Sequence, residues 1–201
     1  IASTIDDEIA GSSIPMPMSH MGSYLDVSEV EVVGGADTYA EQREAFGRRY
    51  GFDRLYADYR EMLDAIDAVT IAVPTVLHRE VAETVAAAGV HLLVEKPLAG
   101  NVVDAEAIVV AADAANVVLA VGHIERHNPV VAYAKEAIGC GEWGEVITMA
   151  AKRVSLYPER IKDVGIIFDM AIHDIDVLRY LSGGEIVSVY ASGGYFKTTR
   201  N

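Results

Sequence analysis

Lys96, Asp169 and His173 are the side chains whose types and surroundings could move protons and stabilise charge. Lys96 follows an apolar run and stands between Glu95 and Pro97. Its ammonium is thus near a carboxylate, and its backbone is restrained by the fixed φ of the proline. A cation held in that way can grip a hydroxyl group and stabilise a developing alkoxide, but an ordinary loop lysine has the same neighbours, and position alone weighs the two readings evenly. Asp169 and His173 are four apart, a spacing that stacks two side chains on one helix face if the helix begins early enough. An imidazole titrates near neutrality and can take the proton of an alcohol, with a carboxylate to orient it. The acidic stretch through Asp174 and Asp176 also invites a metal reading. That ranks behind a plain helix-start capping cluster, because Asp174 and Asp176 cannot share a helix face and no second ligand cluster is evident; no metal is expected.

These groups need a scaffold, and the sequence describes one. Val- and Ile-rich runs at 30–35, 68–73, 90–94 and 117–121 alternate with segments of helical periodicity, the pattern of a parallel sheet covered by helices. Each connection is too long for a hairpin. Thr38 and Glu41 have the spacing of a capping box, and Asn101 with Asp104 marks another helix start. In such a sheet, ligands bind beyond the carboxyl ends of the strands. The polar residues there are Asp37, the segment 74–78 with Thr75 and His78, the Glu95-Lys96-Pro97 triplet, and 123–128 with Arg126. An acidic residue ending the second strand of a dinucleotide-binding sheet accepts bonds from ribose hydroxyls, so Asp37 would favour NAD over NADP; alone, it would read better as a solvated turn residue. After Gly122 the texture changes. A helix is expected from Pro129 to about Ile138, a loosely alternating antiparallel strand over 145–154, a helix with Ile172, Ile175, Leu178 and Leu181 on one face ending at Gly183, and a strand over 186–191. The expected division is a dinucleotide-binding domain over 1–122, atypical in 1–19, and the start of a substrate and oligomerisation domain over 123–201 whose C-terminal part is missing.

Composition narrows the function classes. Hydrophobic residues make up 51% and charged residues 23%, the balance of a folded globular chain. The formal charge of -14 argues against nucleic acid or an anionic membrane as partner. With only five lysines, the acidity suits a salt-adapted surface or simply solubility. One cysteine, Cys140, cannot form an internal disulfide, and Asp6, Asp7 and Glu8 stand where a signal peptide carries positive charge. No apolar run approaches the roughly 18 residues of a membrane span, so a cytoplasmic protein is expected.

The motifs together carry a family resemblance. Ala72-Val73-Pro74 with His78, Glu95-Lys96-Pro97, Gly122-His123 with Arg126 and Pro129, and Asp169 with His173 make the chain, over about 20–195, similar to the Gfo/Idh/MocA oxidoreductases. The resemblance implies Lys96, Asp169 and His173 as catalytic residues, with Thr75, His78, Glu95, Lys96 and Arg126 lining cofactor or substrate. It also implies NAD as cofactor with NADP second, and a cis bond before Pro97. A second, α+β domain on an open, mainly antiparallel sheet, homo-oligomers, and hydride transfer from a hydroxyl-bearing carbon of a sugar or nucleotide sugar complete the expectation. The segments His123 to Pro129, Asp163 to Gly165 and Ile172 to Asp176 resemble more finely the branch that oxidises position 3 of UDP-N-acetylglucosamine.

The N-terminus departs from that pattern. The fold class is α/β, a Rossmann-like sheet without a recognisable first strand or glycine turn, because the three glycine positions of Gly-x-Gly-x-x-Gly hold Ser12, Ile14 and Pro17. No pyrophosphate-binding residues are therefore named. The rival class is a noncatalytic module that binds a nucleotide or sugar, or an inactive fragment of such an enzyme. A metal-dependent hydrolase built on Asp169 and His173 lacks a ligand set.

Overall fold

The computed structural model describes residues 19–154 and 165–194. The apolar runs become parallel strands that are short by strict hydrogen-bond pairing: β1 (Gly35–Ala36), β2 (Leu55–Tyr56), β3 (Ala68–Ile71), β4 (His91–Val94) and β5 (Leu119–Val121). β1 pairs with β2, and β3, β4 and β5 form a second ladder in that order. In the second ladder Ile71 lies beside Val94 and Val94 beside Val121, so the three strands end level. The pairing runs one step past the strands, with the Glu95 N–H donating to the Ile71 carbonyl at 3.0 Å and the Gly122 N–H to the Val94 carbonyl at 2.8 Å. Residues that follow these strands thereby emerge at one edge.

The helices are α1 (His20–Leu25), α2 (Ala40–Tyr50), α3 (His78–Ala87), α4 (Val102–Ala115), α5 (Pro129–Gly139) and α6 (Ile172–Ser182). Local chemistry sets their ends. The Asn101 side chain accepts from the Asp104 N–H at 2.9 Å and starts α4, while Asn116, left-handed at φ 55°, ends it. Asn128 caps α5 with Pro129 in its first turn, and Gly183 at φ 66° ends α6. Between β2 and β3 runs a 3-10 turn, Tyr59–Ala65.

The chain divides into two units. Among the described residues the first holds 19–122 and 165–169, the second 123–154 and 170–194. The first unit has its core between β3, β4, α3 and α4, where Val85, Ala86, Leu92, Val94 and Ile108 are buried. Val94 is wholly inaccessible, as befits a middle strand covered on its face. The second unit packs α5 on α6, with the short 3-10 turn Ile124–His127 against both.

Expectation and structure part at several places. Thr38 does not cap α2: the Asp37 side chain takes the Tyr39 N–H at 2.8 Å, and Arg43 reaches back to the carbonyls of Asp37 and Thr38 at 2.7 and 3.2 Å, so the turn is closed one residue earlier. Residues 145–154 and 186–191 form no ladder, and Ile147, Val187 and Tyr190 are almost fully exposed. Alternation alone does not make a strand, because pairing needs a neighbour. β2 and the turn at 59–65 were not anticipated. The positions Ser12, Ile14 and Pro17 lie outside the described residues.

The core makes a direct forecast. Ile108→Ala, at a side chain only 1% exposed, should cost about 2–5 kcal/mol in denaturant unfolding. Val110→Ala two residues on, at 65% exposure, should stay within about 0.5 kcal/mol. Equal effects would place the core elsewhere.

Candidate active site

The level ends of β3, β4 and β5 bring Glu95, Lys96 and Gly122 to one edge. The Lys96 ammonium donates to the Asp169 carboxylate at 3.0 Å and to the Asp169 carbonyl at 2.7 Å. Both side chains are largely shielded, at 18% and 13% exposure, so this ion pair is worth more than a surface one. Asp169 lies within the same unit, in the wide π turn Ile167–Ala171 that precedes α6. An ammonium has three donors, and two are spent on Asp169. The third points to no partner among the described residues.

Lys96 is also held from behind. The Glu95 carboxylate accepts the Lys96 backbone N–H at 3.0 Å through one oxygen, while the other lies 2.7 Å from His20 Nε2 on α1. Gly122 leaves room for that carboxylate: a Cβ there would stand 3.2 Å from its carboxyl carbon. Burial pushes the Glu95 carboxyl up, but the His20 bond and charge, the Lys96 N–H and the Lys96 charge pull harder, and the net position is below the ordinary glutamate value. The Lys96-Pro97 peptide is cis, as the resemblance implied.

The other expected site residues are dispersed. Asp37 is exposed at the end of β1, in the other ladder, with one carboxylate oxygen on the Tyr39 N–H. Thr75 is buried in the 3-10 turn after β3. His78 does not present its ring to a ligand. It is 1% exposed, and both ring nitrogens face backbone carbonyls. Arg126 belongs to the second unit and is committed there, Nε and Nη2 meeting the two oxygens of Asp176 at 2.8 and 2.5 Å with its guanidinium over the Tyr180 ring. His173 lies on the first turn of α6, also in the second unit. Asp169 is thus not on the α-helix of His173, and its carboxylate serves Lys96.

His20 and Asp176 are not among the site residues that the sequence singles out. His20 meets Glu95 across a separation of 75 residues, for which no local pattern exists. Asp176 was set aside as a ligand, yet at 7% exposure it is a buried counter-charge. Burial raises its carboxyl, but Arg126 and His123 outweigh that and hold it below the ordinary aspartate value. Asp174 has its own partner, Arg153, at 2.9 Å. Among the described residues no group of three or more His, Cys, Asp or Glu could hold a metal, and no helix is long and apolar enough to cross a membrane.

Comparison with known proteins decides the lineage. Residues 10–123 match the model of the oxidoreductase family with an NAD-binding Rossmann fold, GFO/IDH/MocA, and residues 131–201 match the C-terminal domain of the same family. The chain belongs to the GFO/IDH/MocA family. Among its relatives is the UDP-N-acetylglucosamine 3-dehydrogenase of Acidithiobacillus ferrooxidans, 36% identical over 140 residues, which are 70% of this chain and 44% of the relative. The scyllo-inositol 2-dehydrogenase (NAD(+)) of Bacillus subtilis is 33% identical over 188 residues, 88% of this chain and 55% of its own length. A solved structure of the WlbA dehydrogenase from Bordetella pertussis, in complex with NADH and UDP-GlcNAcA, superposes with a TM-score of 0.70 at 29% identity over 81% of this chain and 51% of that one. The chain therefore spans about half the length of these family members.

Two measurements probe the charge pairs. Because the folded Glu95 carboxyl sits below its unfolded value, its ionised form stabilises the fold above the unfolded value, and that contribution disappears as pH falls through the folded one. The stability gap between wild type and Glu95→Gln, followed by denaturant unfolding, should thus be fully open at neutral pH and close as the solution is acidified below about 4.3. A gap that widens on acidification would reverse the assignment. For the second unit, a double-mutant cycle on Arg126→Met and Asp176→Asn should give a coupling of about 0.5–3 kcal/mol; additive effects would deny the pair.

Proposed function

We propose that this chain is the catalytic part of an NAD-dependent dehydrogenase acting on a hydroxyl group of a sugar or nucleotide sugar. The observation that carries the reading is Lys96: a shielded ammonium, fixed at both its backbone and its tip, with one donor that meets no partner among the described residues, at the edge where the strands end. When bound, the nicotinamide would accept the hydride. Lys96 would donate to the reacting hydroxyl and hold the negative charge that develops on its oxygen. His173 would take the hydroxyl proton, a role that rests on its residue type and on the family resemblance. Asp169 would fix the Lys96 ammonium rather than orient His173. Asp37 fits the cofactor as an exposed carboxylate closing β1, able to accept from ribose hydroxyls and unfavourable to a 2'-phosphate. Glu95 and Thr75 would border the cofactor, and Arg126 would act through the packing of the second unit.

The domain boundary near residue 122 belongs to the same reading, with 1–122 as the dinucleotide-binding domain. We read 145–154 and 186–191 as strands of an antiparallel sheet in the second domain, supported by their alternation and by the match of 131–201 to the family's C-terminal domain. On substrate, the finer reading is oxidation at position 3 of UDP-N-acetylglucosamine, supported by the relative from Acidithiobacillus ferrooxidans and by the motif from His123 to Pro129.

The test has two arms. NADH added at about a hundred times its Kd should stabilise the chain by about 2.7 kcal/mol, read as a rise in melting temperature. In assays of NADH formation across a panel of nucleotide sugars, inositols and free sugars, Lys96→Ala should lower turnover by about a hundredfold or more while keeping the NADH-dependent shift. No shift with NADH would favour a noncatalytic module, and undiminished turnover in Lys96→Ala would end the mechanism.

A further inference from the structure

His78 is the first residue of α3 and among the most deeply buried large side chains, yet it is polar. Its Nδ1 lies 3.0 Å from the Pro97 carbonyl oxygen and 3.2 Å from that of Leu98, and its Nε2 lies 3.0 Å from the Val73 carbonyl oxygen. Carbonyl oxygens only accept, and a neutral imidazole carries one N–H, so the ring donates to the loop on one side and packs its other nitrogen against the carbonyl on the opposite side. Val73 belongs to the loop after β3, and Pro97 and Leu98 to the loop after β4. The imidazole therefore stands as a strut between two neighbouring loops at the edge where the strands end. A buried polar ring in such a place is retained only if its bonds are made, and here they go entirely to backbone.

The loop after β4 begins with Lys96. Its N–H is taken by the Glu95 carboxylate on one side. On the other side the chain passes directly into Pro97, whose carbonyl is the His78 contact. Beyond Leu98 the strut ends and the chain turns toward the Asn101 cap of α4. Glu95 and His78 thus bracket one residue, and the side chain of that residue reaches Asp169 at 2.7 and 3.0 Å. An ammonium on a flexible four-carbon stem keeps one direction only if both the backbone that bears it and the acceptor that receives it are held. Asp169 supplies the acceptor, and the structure offers His78 for the backbone.

We propose that His78 is a positioning residue for Lys96, acting through the carbonyls of Val73, Pro97 and Leu98 without touching substrate or cofactor. The proposal deepens the reading of Lys96 given above and rests on it for its meaning in catalysis, but its geometry is testable without turnover.

The experiment compares the wild-type chain with His78→Phe, which fills the space with no donor, and His78→Gln, which keeps a side-chain N–H donor in a different shape. Lys96 is labelled with an amine-acetylating reagent and quantified by peptide mass spectrometry, beside amide hydrogen exchange of Leu92 and Leu93 in β4. Loss of the strut should speed Lys96 labelling about tenfold in His78→Phe and about two- to threefold in His78→Gln, with exchange in β4 unchanged. If His78→Phe does not fold, His78→Gln still decides. Unchanged labelling in a folded variant overturns the proposal, and so does labelling that rises only in step with β4 exchange, since His78 would then merely hold the unit together. Where the wild type turns over, kcat should fall in the same order of variants while the KM for NAD stays put; a shift confined to KM counts against positioning. A wild type without turnover removes the catalytic reading of Lys96 and leaves the labelling result to judge the strut by itself.

Discussion

The first unit depends on one ion pair made under partial burial, the Lys96 ammonium against Asp169. Burying a charge is unfavourable unless it is paired and bonded, so the surroundings of Lys96 have to be arranged in advance. The arrangement begins in the sheet. Because β3, β4 and β5 are parallel and end level, the residues that leave them emerge side by side, and hydrogen bonds past the last strand residues carry the ladder into the Glu95 and Gly122 positions. Gly122 makes room for the Glu95 carboxylate, Glu95 ties down the Lys96 N–H, and His20 holds Glu95 from α1. Each contact restricts the next, which is how a flexible side chain comes to be held in one direction.

The second unit solves a similar problem with a different result. Asp176 is as buried as a core residue, but its partner Arg126 meets it through two parallel bonds, and the guanidinium also covers Tyr180. A bidentate pair uses the fork geometry fully and leaves the arginine little reason to move. Lys96 offers the contrast. An ammonium holds its acceptor as a point charge and has donors to spare, so it can serve a ligand while remaining paired. The two ion pairs thus differ in what they leave available, and lysine stands in the one with donors to spare.

Much of the fold was legible because it is written locally. The Val- and Ile-rich runs, the Asn101 and Asn128 caps, the Gly183 stop and the three-residue spacing of Ile172, Ile175 and Leu178 are all signals within a few residues, and each became the element they suggest, save that the run at 30–35 pairs only from Gly35. Where two local signals competed, the reading failed: Asp37 and Thr38 both offer a side-chain oxygen to the turn before α2, and the one that can close it with Arg43 behind wins. The strands expected in the second unit show the opposite limit. Alternation reports which faces a segment would present to a sheet, but pairing needs a neighbour, and Ile147 and Val187 stand almost fully exposed in segments that form no ladder among the described residues.

The site was legible only in its residue types. Lys96 and Asp169 could be named from motif and spacing, but that they bind each other is a contact between residues 73 apart, which no local pattern announces. His78 shows the limit of residue type. A histidine after a buried strand, in a loop expected to face a ligand, has the chemistry of a binding residue whether its ring turns outward or inward. What decides is whether backbone acceptors exist inside to satisfy it. Val73, Pro97 and Leu98 provide them, since loops after parallel strands leave carbonyls that the ladder no longer uses. The ring is accommodated in the interior, and on the proposal above its influence on a bound ligand would pass through the backbone that carries Lys96.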